Sequence, residues 1–267
     1  MKSDVRGLHR THLMNNLVLP KRLAVALVLL AMPWISQAGN DTPYVEKSLG
    51  TTTVKLPKLA DFSPACDENK QIAQRAAGLT PKTAVFVACS VESKKWHAFQ
   101  DGKPSDMYPF IAIAVQVTPP GGDYTTQEFE KVRAAAHKQL GDLLTNTQDI
   151  QRQIAEQDRK LASGGVAIER KNYHQSFQGF FQPAGETFSF SYVTTRNVTV
   201  VEAGMKKDLW EVNAASIIFL SGKLLTLNVV DQSTSADSGL RVQEITSRWL
   251  RAFRDLNENQ GQKNDCA

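Results

Sequence analysis

The sequence predicts an α+β protein: an antiparallel sheet with a long helix and a C-terminal helix packed on it. Three observations carry this. Residues 185–192 alternate strictly, placing Phe188, Phe190 and Tyr192 on one face of a strand. Ser221-Gly222 separates two apolar runs, 209–220 and 223–230, as a two-residue hairpin signal. Two stripes recur at helical spacing, one through Phe129, Val132, Ala136, Leu140 and Leu143, the other through Val242, Ile245, Trp249, Phe253 and Leu256.

Ahead of the fold stands a leader. Lys21 and Arg22 form a basic region, 23–35 an apolar run, and Ser36-Gln37-Ala38 a small-x-small ending. Residues 1–38 therefore read as a cleaved signal peptide, cut between Ala38 and Gly39. The apolar run has 13 residues, short of the roughly 20 that a spanning helix needs, so a stable membrane anchor is not expected. Starting at Met14 gives a leader of ordinary length, and Met14 is the expected start. The expected location is periplasmic or secreted, in a bacterium.

The leader also explains the charge. The chain carries 31 Lys and Arg against 27 Asp and Glu. Lys2, Arg6, Arg10, Lys21, Arg22 and Asp4 all lie in the leader, and removing them leaves 26 of each sign. A neutral domain has no global electrostatic reason to bind nucleic acid or an anionic membrane.

Along the mature chain, 39–50 reads as a flexible polar start, and 51–257 as a single domain. Residues 51–56 form a first strand ended by Pro57. Ser63-Pro64 opens a helix, with Ser at the N-cap and Pro at the first turn, running to Gly78. Residues 84–89 return as a buried strand. Cys66 opens the helix and Cys89 closes the strand; a helix of about 16 Å and a strand of about 23 Å bring the two sulfurs to the same end. Export makes a Cys66–Cys89 disulfide expected, leaving Cys266 on a disordered tail, 258–267, either as a mobile free thiol or as an intermolecular or redox contact.

Residues 94–109 link this strand to the next, 110–117, with a turn at Asp101-Gly102. Thr125-Thr126-Gln127-Glu128 is a capping box that opens the longest helix. Residues 145–162 continue it as a polar helical extension on which Ile150, Ile154 and Leu161 hold a thin stripe and Glu156–Lys160 is an i,i+4 pair. Strands follow at 185–192, 197–201, 209–220 and 223–230, then a helix over 237–256. Asn197-Val198-Thr199 matches a glycosylation sequon, but its strand position argues against use.

The hairpin Ser221-Gly222-Lys223-Leu224-Leu225-Thr226-Leu227, with the helix ending Trp249-Leu250-Arg251-Ala252-Phe253, resembles the PsbP-like superfamily. The resemblance covers the C-terminal half and implies a sheet with an amphipathic terminal helix. It also implies partners rather than chemistry, since members of that superfamily mostly bind or assist assembly. The polar extension over 145–162 departs from the pattern.

Motifs for chemistry are sparse. His97, His137 and His174 show none of the spacings of a metal site, and the cysteines form no C-x-x-C pair. No G-x-S-x-G elbow occurs, and no cofactor is expected. Two stretches suit recognition. One is the 94–109 connection, where Trp96, Phe99 and Tyr108 stand among Lys94, Lys95 and Lys103, an aromatic patch with a basic rim; its structural counter-reading folds Trp96 and Phe99 back on the sheet. The other is the stripe of Ile150 and Ile154. The sequence thus leads to an exported, non-enzymatic binding or assembly factor with an envelope protein partner. The alternatives are a hydrolase with a scattered site and a small-ligand carrier built on Phe177, Phe180, Phe181 and Phe188.

Overall fold

The fold is described from a computed structural model over residues 42–117, 122–145, 175–183, 187–202, 205–234 and 238–261, with positions 152, 155, 156 and 159. The leader with Met14, the Ala38–Gly39 junction, Ile150, Ile154, His174 and Cys266 lie outside the described residues.

The first element corrects the expectation of a flexible 39–50. β1 (Tyr44–Leu49) and β2 (Thr52–Pro57) pair antiparallel as a separate two-stranded hairpin, with Leu49 opposite Thr52. Val45 and Leu49 pack toward the core, and Gly50 supplies the turn at φ 69°. The alternation is hard to see in sequence because Lys47 takes an inward position, where its Nζ reaches the carboxylate of Asp67 at 3.1 Å.

Seven further strands form one antiparallel sheet: β3 (Phe62–Ser63), β4 (Ala84–Glu92), β5 (Phe110–Gln116), β6 (Gln175–Phe181), β7 (Ser189–Glu202), β8 (Met205–Leu220) and β9 (Lys223–Ser233). Their spatial order is β3-β4-β5-β9-β8-β7-β6. The two strands expected at 185–192 and 197–201 are one strand, β7, paired with β8 along its whole length. The Ser221-Gly222 hairpin forms as expected, with Leu220 opposite Lys223 and φ of 47° and 79° at the two turn residues. Both angles are positive, as a turn that continues the strand twist requires.

Among the described residues the helices packed on the sheet are α1 (Ala65–Glu68), α2 (Lys70–Leu79), α3 (Ser93–Gln100), α4 (Thr126–Thr145) and α5 (Gly239–Gly261). The helix expected from Ser63 to Gly78 is broken at Asn69, whose backbone is extended at φ −136°. Its Oδ1 accepts from the N–H groups of Gln71 at 3.0 Å and Ile72 at 3.2 Å and so starts α2 afresh. The capping box at α4 is complete: Thr125 Oγ1 accepts from Glu128 N at 3.2 Å, and Glu128 Oε2 accepts from Thr125 N at 2.7 Å. The Thr125 N–H, and the Thr125 hydroxyl donating to the same Oε2 at 2.9 Å, hold the Glu128 carboxyl below its ordinary value. α5 extends through Gly261, so the expected disordered tail 258–267 is corrected at its first residues.

Register assigns the faces. Ile113 lies opposite Leu227, Leu227 opposite Ser216, and Ser216 opposite Ser191. This face carries the main core, where Ile111, Val212, Ile218, Leu225 and Val229 meet Val54 and Leu56 of β2 and Val242, Trp249 and Phe253 of α5. Trp249 and Phe253 stack at 5.0 Å. The buried hydroxyls of Ser191 and Ser216 satisfy each other at 2.7 Å. The opposite face holds two smaller clusters, one under α1–α3 around Cys89, Val91 and Trp96, the other under α4 around Phe129, Phe190 and Leu224.

Candidate functional site

The site grows from the disulfide corner. Cys66 and Cys89 are bonded, with Cα atoms 5.3 Å apart. The bond fixes α1 against β4 and thereby places Glu68. Oε2 of Glu68 accepts from Trp96 Nε1 at 2.6 Å and from Gln100 Nε2 at 3.1 Å, which docks α3 on α1. Trp96 is therefore not part of an exposed patch: it is buried, 2% exposed, with its one polar atom satisfied. The first part of the 94–109 connection is α3, and from it Trp96 packs inward beside Cys89 and Val91.

Phe99 differs. Its ring stacks on Trp96 at 5.5 Å, yet 40% of the residue remains in solvent. Around it Lys94 is exposed, Lys95 pairs with Asp106 at 2.5 Å, and Lys103 pairs with Asp101 at 2.9 Å. Tyr108 is half-buried, just before the buried Pro109.

Beyond Pro109 the surface falls into a cleft of about 210 Å³ lined by Asp61, Phe62, Glu92, Pro109, Arg241, Glu244, Ile245 and Arg248. One wall is the β3–β4 edge, the other the first turns of α5. Arg241 crosses between them, donating to Glu92 Oε2 at 3.0 Å and to Asp231 Oδ2 at 3.3 Å. Arg248 donates to Asp61 Oδ2 at 2.8 Å. Asp231 sits behind Arg241 and is buried; burial raises its carboxyl, while Arg241, the Gln232 N–H and Lys95 pull it back down. None of these ion-paired residues stands out in the sequence, because two of the three pairs join positions 149 and 187 apart.

The other candidates fall elsewhere. Phe177 and Phe180 lie under α4, where Phe177 meets Phe180 at 5.2 Å and His137 tilts over Phe180 at 4.0 Å. Phe181 and Phe188 belong to the opposite face, with Phe188 against Phe253 at 6.1 Å. The sheet therefore divides the four phenylalanines. Tyr192 beside the first pair is pushed up by burial. Among the described residues no group of three His, Cys, Asp or Glu side chains could hold a metal, and no helix is long and apolar enough to cross a membrane.

Fold and site together define an α+β domain with a disulfide-braced, aromatic corner beside a charged cleft. No family model and no curated protein matches the chain. Among solved structures it is similar to the Saccharomyces cerevisiae Ran-binding protein Mog1p, at 12% identity and a TM-score of 0.34, over 80% of this chain and 94% of that one. A likeness of that size carries no argument about fold or function.

Proposed function

We propose that the protein, once exported, is a non-enzymatic binding or assembly factor of the bacterial envelope that engages a protein partner through the α3 corner. One observation carries this reading: Phe99 is an exposed ring held in a fixed place. Its neighbour Trp96 is anchored by a hydrogen bond to Glu68, and Glu68 is anchored by the disulfide. An aromatic ordered before binding loses little entropy on contact, which is what an interface anchor requires. The likeness to the PsbP-like superfamily, carried by the hairpin at 221–227 and the helix ending at 249–253, points the same way.

The carrier reading has less support, since its four phenylalanines lie on two faces of the sheet. A photo-crosslinking residue placed at Phe99 in cells should yield a discrete protein adduct, absent when the same residue replaces the exposed Arg251 of α5. Equal labelling at the two positions, or none at Phe99, overturns the reading.

A further inference from the structure

The cleft between α5 and the β3–β4 edge is separate from the Phe99 ring, and its chemistry specifies what it would accept. Its volume, about 210 Å³, is below the roughly 300–1,000 Å³ of sites that enclose a drug-sized ligand. One side chain of an arriving protein fits that scale. The lining is apolar at Phe62, Pro109 and Ile245 and charged elsewhere.

The charges do not cancel. Arg248 is matched by Asp61. Arg241 is matched in the lining by Glu92, with the buried Asp231 behind it. Glu244, exposed on α5, makes no ion pair among the described residues and leaves the lining with one negative charge in excess. The nearby Lys95 is occupied by Asp106. A group that suits this setting has an apolar stem and a cationic head. The stem would cover Ile245, Phe62 and Pro109, and the head would meet Glu244 and Glu92. Lysine and arginine side chains have that form, and they bury their methylenes while keeping their charge near water.

We infer that this cleft is a subsite for a basic side chain, lysine or arginine, presented by an extended segment of the partner protein. The inference rests on the binding reading above and gives the partner's chemistry at a second contact. It also orients the partner, since the basic residue must reach the α5 wall while an apolar surface meets Phe99.

The test uses the mature protein and a probe rather than the partner. A tetralysine peptide and a tetraglutamate peptide are titrated separately while the backbone amide signals of Glu92, Glu244 and Ile245 are followed by NMR. Tetralysine should shift these signals saturably and tetraglutamate should not. Glu244→Gln should weaken the tetralysine response by about threefold to fivefold, the scale of one exposed ion pair, and Glu244→Lys should abolish it. Both substitutions are at an exposed helix position, so the fold is retained and the spectrum reports it. Equal shifts with both peptides, or a tetralysine response untouched by Glu244→Lys, overturns the inference. Failure of the binding reading would show instead as a missing adduct at Phe99, whatever the peptides do.

Discussion

Two corners of the same sheet face solve one problem differently. The corner under α1–α3 is small and held by a covalent bond, and it leaves an aromatic ring in solvent. The corner under α4 has no crosslink among the described residues and turns its aromatics inward: Phe129 is 1% exposed, stacking on Phe219 at 5.4 Å and near Phe190 at 6.2 Å. A corner without a crosslink must spend its rings on packing. A corner with one can leave a ring free, because its order does not depend on burying that ring.

The substitution that most sharply tests this contrast is Phe129→Ala. It should cost about 3–5 kcal/mol, the range for a fully buried aromatic, and chemical denaturation would measure it. Next comes the disulfide. Replacing both Cys66 and Cys89 with serine releases a loop with a sequence separation of 23 and should cost about 3 kcal/mol by the chain-entropy argument. Hydrogen exchange should then rise in α1 and α3 while α4 keeps its protection. Equal loosening of both corners would erase the distinction.

Gly222→Ala attacks the α4 corner through its anchor. Gly222 sits at φ 79°, and an added Cβ would lie 2.6 Å from Cβ of Asp123, next to the residue whose N–H donates to Gly222 O at 2.8 Å. Strain of about 1–3 kcal/mol is expected, and α4 should lose exchange protection first. Asp231→Asn has a subtler effect. Burial raises this carboxyl, so the folded chain holds the proton more tightly than the unfolded one. Folded stability therefore declines as pH rises from the ordinary carboxylate range through the raised value. The asparagine variant should lack that decline, gaining on the parent between about pH 4 and pH 7 in paired denaturation curves. Smallest of all, Phe99→Ala should leave stability within about 0.5 kcal/mol of the parent. Thermal unfolding measures this, and a larger loss would mean the ring is structural after all.

What could be read in advance follows from range. The Ser221-Gly222 turn, the Thr125–Glu128 capping box and the spacing of Trp249 and Phe253 each depend on neighbours within a few residues, and each is in the structure. The Cys66–Cys89 bond follows from the lengths of one helix and one strand. α3 is not legible in sequence because its eight residues are too few to show a helical period, and Trp96, Phe99 and Tyr108 together resemble an exposed patch. β6 is not legible because its register shifts between Phe177 and Gly179, which breaks the alternation of its phenylalanines. The cleft was invisible: Arg241, Asp231, Glu92 and Arg248 become partners only after the sheet has brought the middle of the chain to α5.

Asn257 joins the beginning of the described fold to its end. Its side-chain amide donates to Lys55 O at 2.9 Å and accepts from Lys55 N at 3.1 Å, so one residue of α5 acts as a third strand for β2. The first hairpin of the described fold thus completes its seat on α5. A chain delivered N-terminus first must keep β1 and β2 waiting, with Val54 and Leu56 uncovered, until nearly every later residue has arrived. Completion of the fold is then a signal that α5 is present, and a product cut before Asn257 would show the loss at β2.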